Sequence, residues 1–501
     1  MIKVISVDNM RKSDAHTIES AVPSRELMAR AGKAIFDAAE WKPPVAIVCG
    51  AGNNAGDGFV VAGLLHDAGI DCTIFLLSDK FSEDGRYYFE LCEKAGIDIR
   101  RGIDELKPEG FGSVLDCIFG TGFRGEVSEP YRTAIERINA SGAYVVSADI
   151  NSGLGGDSGL ASEGNKLCVR SDLTVSIGCY KSGLFLGSAK DVIKNKVNCD
   201  IGIEPLDPPA GLIEAADIKR LFERPLCNTN KGDYGYVALI GGSLEYSGAA
   251  KLANLSLSAL RAGAGVAKLA VPRRISNAVL PYLLESTLYE LDDVDGSYSF
   301  SHTNIERLLN RTRAAAVGMG MGRSEEIKRL LEYLLCEYSG RVIIDADGLN
   351  MLSEMDRKYF KNASCRMILT PHPKEFERLS GIKIEEFSKD PIRAAKEYAA
   401  GIGAILLLKG TTTIITDGTT VYLVDRGSNG MATAGSGDVL SGILAGICGY
   451  VSDEDLLLGV AAGAYLNGLA GELAARDIPP VSMISGDTVK HIPEALRTIL
   501  A

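Results

Sequence analysis

Residues 429–450 (NGMATAGSGDVLSGILAGICGY) set one carboxylate directly after a run of small side chains. Gly430, Ala432, Thr433, Ala434, Gly435, Ser436 and Gly437 let backbone N–H groups approach an anion closely. The apolar spacing of Val439, Leu440, Ile443, Leu444 and Ile447 predicts a helix starting just beyond them, which adds the positive end of its dipole. Asp438 then stands at the mouth of an anion hole. A carboxylate there suits a base that takes a proton from a hydroxyl while a phosphoryl group is held for transfer. The plainer alternative is a glycine-rich loop whose acid caps a helix.

Other chemistry-bearing residues collect at the ends of apolar runs. In the first half these are Asn53, Asn54 and Asp57, then Asp116 with Gly120, Thr121, Gly122, Arg124 and Gly125, then Asp149, Asn151 and Ser152. Asn54, Asp116 and Ser152 offer oxygen ligands of the kind a hard cation takes. The turn GAGNNAG is not the GxGxxG of dinucleotide folds, so ordinary dinucleotide binding is not expected. In the second half the polar cluster is Gly320, Gly322, Asp345, Asp347, Asn350, His372, Glu375 and Lys409. No Walker A sequence is present, which restricts phosphoryl chemistry to folds that use a small-residue anion hole.

The elements that must carry these residues read as repeated βαβ units. Residues 8–40 read as one long helical region. Apolar runs at 44–50, 72–78, 114–120, 144–150 and 173–178 read as buried parallel strands separated by helical stretches. Pro205, Pro208 and Pro209 block helix and ladder alike, so a linker is expected near 205–212. The second half restarts with a strand at 235–243, a helix over 246–265 and strands at 266–272, 314–322, 341–350, 367–373 and 405–410. Two short runs turned at Asp417-Gly418 read as a hairpin. Helices near 438–449 and 454–475 close the domain. The expected fold class is α/β with two doubly wound domains.

Composition limits the partners. The net charge of −12 and the lack of a Lys/Arg cluster argue against nucleic acid or an anionic membrane. No run of 18 apolar residues is seen, so no membrane span is expected, and the charged N-terminus does not resemble a signal peptide. Eleven scattered cysteines without CxxC point to reduced thiols and a cytoplasmic setting.

These motifs together resemble a known family. GSGD at 435–438 is similar to the ribokinase-like superfamily. DADGLN (345–350), TPHPKEFERL (370–379), KGTTT (409–413) and KGDYGYVALIGGS (231–243) narrow the resemblance to ADP-dependent NAD(P)H-hydrate dehydratases. GNNAGDGFVVA (52–62), DCIFGTGFRG (116–125) and DINSGL (149–154) resemble the NAD(P)H-hydrate epimerase domain. The order of the two resembles the bifunctional NAD(P)H-hydrate repair enzymes. The resemblance implies an N-terminal Rossmann-like epimerase domain over 1–207 and a C-terminal ribokinase-like dehydratase domain over 212–501. It implies interconversion of the R and S hydrates of NADH and NADPH, then ADP-dependent dehydration of the S form with release of AMP and phosphate.

The same resemblance assigns residues. In the epimerase site Asn53, Asn54, Ala55, Gly56, Asp57, Gly120, Thr121, Gly122, Phe123, Arg124, Gly125, Glu126 and Asp149 would bind the hydrate, with Asp149 doing acid–base work. Asn54, Asp116 and Ser152 would hold K⁺. In the dehydratase site Ala264, Gly322, His372 and Asp438 would line the hydrate, with Asp438 the base. Lys409, Gly410, Thr411, Thr412 and Thr413 would bind ADP together with Asn429, Gly430, Met431, Ala432, Thr433, Ala434, Gly435, Ser436 and Gly437, with Mg²⁺ at the phosphates. A homo-oligomer is expected. Asn151 stands where the family has proline, and Lys374 where it has glycine. The rival reading is a ribokinase-like kinase of a small vitamin precursor fused to a non-catalytic binding domain.

Overall fold

A computed structural model describes residues 1–104, 110–162, 167–224, 226–246 and 248–501 of the chain. It forms two compact units. One comprises Lys3–Pro209 with Ser388–Asp390; the other comprises Met1–Ile2, Ala210–Phe387 and Pro391–Ala501.

The first unit is built on seven parallel strands: β1 (Val45–Cys49), β2 (Cys72–Leu76), β3 (Asp98–Arg101), β4 (Ser113–Cys117), β5 (Tyr144–Ala148), β6 (Ser171–Ile177) and β7 (Ile193–Cys199). Their order across the sheet is β3-β2-β1-β4-β5-β6-β7. Successive β1 residues feed separate cores: Val45, Ile47 and Cys49 pack into one, Ala46 and Val48 into the other. Both faces are therefore covered, which is why these strands read as unbroken apolar runs. The expected single helix over 8–40 is two helices, α1 (Val7–Ser20) and α2 (Ser24–Ala38). Pro23, extended at ψ 143°, separates them, because its ring removes an N–H and disfavours helix in the residue before it. Helix α3 (Asn53–Asp67) follows β1.

The second unit holds β8 (Ala210–Leu212), β9 (Tyr236–Gly241), β10 (Val266–Pro272), β11 (Thr287–Leu291), β12 (Thr312–Met319), β13 (Arg341–Ile344), β14 (Arg366–Leu369), β15 (Ile405–Leu408), β16 (Thr413–Thr416) and β17 (Val421–Val424). The order is β11-β10-β9-β12-β13-β14-β15-β16-β17-β8. Strands β11 to β15 pair in parallel, and β15-β16-β17 run antiparallel. The linker expected near 205–212 is thus shorter, since Ala210–Leu212 already pairs with β17. Helix α4 (Ala249–Arg261) covers less than the expected 246–265, within which Ser247 lies outside the described residues. Helices α5 (Pro373–Ser380), α6 (Ser436–Cys448) and α7 (Leu456–Asp477) complete the parts that matter below. Among the described residues α7 is the one helix long and apolar enough to cross a bilayer, but 78% of its apolar window is buried inside the protein. Val460, Ala461, Ala462 and Leu466 are fully enclosed in the core that also takes Val439, Ile443 and Ile447 of α6.

Candidate functional site

In the first unit the strand order reverses between β1 and β4, so the loops leaving these two neighbours part and leave a crevice at the carboxyl ends. A cavity of about 510 Å³ occupies it. Asn53, Asn54, Asp57, Gly120, Thr121, Gly122 and Asp149 all line this cavity, drawn together from three strand ends. Ala55 and Gly56 lie in the buried first turn of α3, where a Cβ on Gly56 would sit 2.5 Å from Met28 Sδ. Arg124, Gly125 and Glu126 are exposed and lie outside the cavity lining, as does Phe123, whose ring stacks on Phe119 at 5.0 Å.

Asp149 takes a left-handed backbone, φ 64°, which aspartate tolerates and which turns its carboxylate back over the strand end. Its Oδ1 accepts from Ile177 N at 3.2 Å and from the ammonium of Lys181. Lys181 is enclosed, 1% exposed, and also donates to Ile177 O at 2.6 Å. Asp14 on α1 and Asp57 line the same cavity. Burial pushes Asp14 up to about 6, opposed by Lys181 and reinforced by Asp149. Burial raises Asp57 well above the carboxylate range, with Asp149 and Asp14 adding to it. Carboxyl groups of such different proton affinity around one ammonium make an acid–base site.

Behind the cavity Asp116 is fully buried, and its carboxylate accepts from Ser152 N at 2.9 Å, Ser147 Oγ at 3.0 Å and Ser152 Oγ at 2.5 Å. Among the described residues no Lys, Arg or His pairs with it, and burial raises its pKa. Ser152 Oγ in turn accepts from Phe119 N, one residue before Gly120, whose Cβ position lies 3.7 Å from Asn54 Oδ1. The Asn54 amide nitrogen is buried with no partner. Turning that amide over presents an unpartnered oxygen instead. A buried carboxylate without a cation, beside an orphaned amide and a hydroxyl, fits K⁺.

In the second unit the loop before α6 meets the carboxyl ends of β13 and β15. Gly435 is left-handed, φ 94°, and a Cβ there would sit 2.7 Å from Ser485 Oγ. Among the described residues no side chain caps α6; Ser436 N donates to Thr433 O at 3.3 Å, and the N–H groups of Gly437 and Asp438 that follow are placed to meet a ligand. A Cβ on Gly437 would stand 3.3 Å from Asp345 Oδ2 and 3.9 Å from Lys409 Nζ, so the anion loop rests on that pair. Asp345 is 2% exposed; it accepts from Lys409 Nζ at 2.9 Å and from Ser441 Oγ at 2.8 Å. The next residue, Ala346, is held at φ 48°, an outlier for alanine at the strand end. Glu375 Oε2 lies 3.9 Å from Lys409 Nζ. Burial works against the Lys409 ammonium, but Asp345 and Glu375 outweigh it and hold its pKa above the usual value. Burial pushes Asp438 up to about 6, Asp345 adds to this, and Lys251 and Lys409 oppose it.

His372 caps α5: its Nδ1 accepts from Lys374 N at 3.1 Å and Glu375 N at 3.3 Å. Burial and the nearby Lys409 lower its pKa, so the ring works as a neutral acceptor with Nε2 facing Glu375 Oε1 at 3.4 Å. Lys374 is exposed to water. Gly322 N donates to Asp347 Oδ2 at 2.8 Å, and Ala264 is buried after α4. Gly410 and Thr411 are exposed, while Thr412 is buried and bonds Asp425 Oδ1 at 3.0 Å; Thr413 opens β16. Asn429–Met431 form a short 3₁₀ turn with Gly430 buried against Met483. Three carboxylates, Asp345, Glu375 and Asp438, outnumber the ammonium groups of Lys409 and Lys251 that act on them, an oxygen set that fits Mg²⁺.

Asp14, Lys181 and Lys251 escaped the sequence reading. Asp14 was hidden in a helical polar face. Lys181 carried a signal: it is the lone charge between Asp172 and Lys190.

Residues 237–494 match the NAD(P)H-hydrate dehydratase family, and residues 24–183 match the family described as YjeF-related protein N-terminus. A bifunctional NAD(P)H-hydrate repair enzyme of Thermofilum pendens is 33% identical over 526 residues, covering 99% of this chain and 97% of its own. Its counterpart in Archaeoglobus fulgidus is 34% identical over 500 residues, 99% of each chain. A solved ribokinase-like superfamily protein of Enterococcus faecalis matches at TM-score 0.51 and 20% identity, over 59% of this chain and 98% of that one, which shows the ribokinase-like fold. With identity of this order sustained from end to end, the chain belongs to the bifunctional NAD(P)H-hydrate repair enzymes.

Proposed function

We propose that the chain repairs hydrated NADH and NADPH with two active sites, an epimerase in residues 1–207 and an ADP-dependent dehydratase in residues 212–501. The observation that carries the second is the Asp438 carboxylate in the first turn of the uncapped helix α6, pushed up to about 6 beside the Asp345–Lys409 pair. Asp438 takes the proton of the S-hydrate hydroxyl. The hydroxyl oxygen bonds to the terminal phosphorus of ADP, and AMP leaves. The C–O bond then breaks, phosphate leaves, and loss of a ring proton restores the double bond. The free N–H groups of α6 and Lys409 hold the phosphates; Asp345 and Glu375 are the residues that suit Mg²⁺, whose charge offsets theirs. Thr411 to Thr413 and the loop 429–437 bind the rest of ADP, and Ala264, Gly322 and His372 line the hydrate.

In the epimerase, Asn53 to Asp57, Gly120 to Gly122 and Asp149 hold the hydrate, with Asp149 moving a proton. Asn54, Asp116 and Ser152 would hold K⁺, whose charge would offset the buried Asp116 carboxylate. The free cysteines support a reducing, cytoplasmic setting. The exposed Leu280, Tyr282 and Leu284 support a homo-oligomer, which size-exclusion chromatography tests.

The test mixes racemic hydrated NADH with purified protein, ADP, Mg²⁺ and K⁺, and follows the absorbance of the reduced ring. Full conversion is expected, and Asp438→Asn lowers turnover by a factor on the order of 10²–10⁴ while keeping ADP binding. Conversion with ATP and none with ADP overturns the nucleotide assignment. A phosphorylated product that accumulates overturns the dehydratase.

A further inference from the structure

We propose that Asp14, on α1, is a catalytic residue of the epimerase pocket, exchanging a proton with the hydroxyl of the hydrated ring. This rests on the epimerase reading above.

Met10, Arg11, Asp14 and Ile18 share one face of α1, and all four line the cavity beside Asp149. The Asp14 side chain is half-buried, yet among the described residues it has no hydrogen-bond or ion-pair partner. Asp149 is different: it is committed to Lys181 and Ile177. Burial raises the pKa of Asp57 well above its ordinary value, with Asp149 and Asp14 adding to it, which favours a hydrogen-bond donor to the ligand. The groups acting on Asp14 are Lys181, Asp149 and Asp57; Arg11 of its own helix also lines the cavity. Their balance with burial leaves Asp14 near 6, where both of its protonation states are accessible around neutral pH.

The chemistry needs such a group. Water adds to an enamine at the carbon beside nitrogen, so the hydroxyl to be inverted stands next to the ring nitrogen. Asp14 gives its proton to that hydroxyl, the C–O bond breaks, and water departs as the nitrogen lone pair forms C=N⁺. Water then adds to the other face, its oxygen bonding to carbon, the C=N⁺ pair returning to nitrogen and its proton passing to Asp149. One proton has moved from Asp14 to Asp149. The reverse reaction returns it, and between forward turnovers Asp149 releases a proton to solvent while half-exposed Asp14 takes one up. Inversion requires two proton-bearing groups, and α1 and the end of β5 supply one each.

The experiment incubates pure R hydrate with the full-length protein, without ADP, and follows formation of the S hydrate by chiral chromatography. The uncatalysed rate is subtracted. Hydrate affinity and ADP-dependent conversion of pure S hydrate are measured on the same samples. Asp14→Asn is expected to lose epimerisation by a factor on the order of 10²–10⁴. Hydrate affinity should stay within a few-fold, and S-hydrate conversion should be unchanged. Asp14→Glu, which keeps the acid, should recover at least a tenth of the epimerisation rate. Asp14→Asn with more than a tenth of the wild-type rate overturns the inference, and so does a loss of rate fully explained by weaker hydrate binding. If wild-type protein itself does not convert R to S, the epimerase reading fails rather than the role of Asp14.

Discussion

Replacing Lys409 by methionine should make the second unit lose stability in a pH-dependent way, because the carboxyls of Asp345, Glu375 and Asp438 all lose its ammonium. The ammonium lies 2.9 Å from Asp345, which is 2% exposed, and 3.9 Å from Glu375. In wild type the raised Lys409 pKa means the stabilisation is complete below the unfolded lysine value and is lost only as pH rises through the folded value. Across pH 5–8 it is therefore constant. In Lys409→Met, Asp345 keeps Ser441 Oγ and Ala346 N as donors but has no cation. An unpaired charge at this depth costs about 3–5 kcal/mol, so the folded variant takes up a proton instead. Protonating an ordinary aspartate, with a pKa near 3.9, costs about 4 kcal/mol at pH 7 and about 1.5 kcal/mol at pH 5. The folded state then binds more protons than the unfolded state, so the variant loses stability as pH rises, by about 1.4 kcal/mol per unit for each such proton, until the cost of leaving the charge unpaired is reached. Urea unfolding of wild type and variant from pH 5 to pH 7.5 measures the difference, with hydrogen exchange of α6 assigning the transition to the second unit. A gap that stays flat across this range, or one below about 1 kcal/mol at pH 7, refutes the buried pair as the support of the anion loop.

Three further outcomes follow from the two sites. Dehydratase kcat/KM should fall with a first-order acid limb near pH 6, because the proton that burial and Asp345 keep on Asp438 must be absent for it to act as base; a pH–rate profile checks this, and Asp438→Asn should abolish the limb. Gly435→Ala should destabilise the protein by about 1–3 kcal/mol and weaken ADP binding at least tenfold, because φ 94° is strained for alanine and its Cβ would meet Ser485 Oγ at 2.7 Å; calorimetry reads both. Asp116→Asn should make epimerisation insensitive to exchanging K⁺ for tetramethylammonium, with dehydration of the S hydrate unaffected, in an assay of each step alone.

What could be read from residue order alone was whatever depends on a short stretch of backbone. Gly435 is glycine because φ is 94° there, a constraint that acts within one loop, so GSGD was legible before the fold was seen; that a Cβ on Gly437 would press on Asp345 was decided by the fold. The apolar runs of β1, β4 and β5 were legible because both faces of a parallel sheet are buried. The break at Pro23 was a local signal that the longer helical period obscured. Residues whose role depends on distant partners were not legible. Asp14 is one polar residue among several on α1, and only the packing of that helix beside the carboxyl ends of the sheet places it in a cavity with Asp149. Lys181 reaches Asp149 across 32 positions, and Lys409 reaches Asp345 across 64. Buried charge pairs of this kind form where strand order brings two chain ends together, and strand order is set by the whole sheet rather than by the residues on either side.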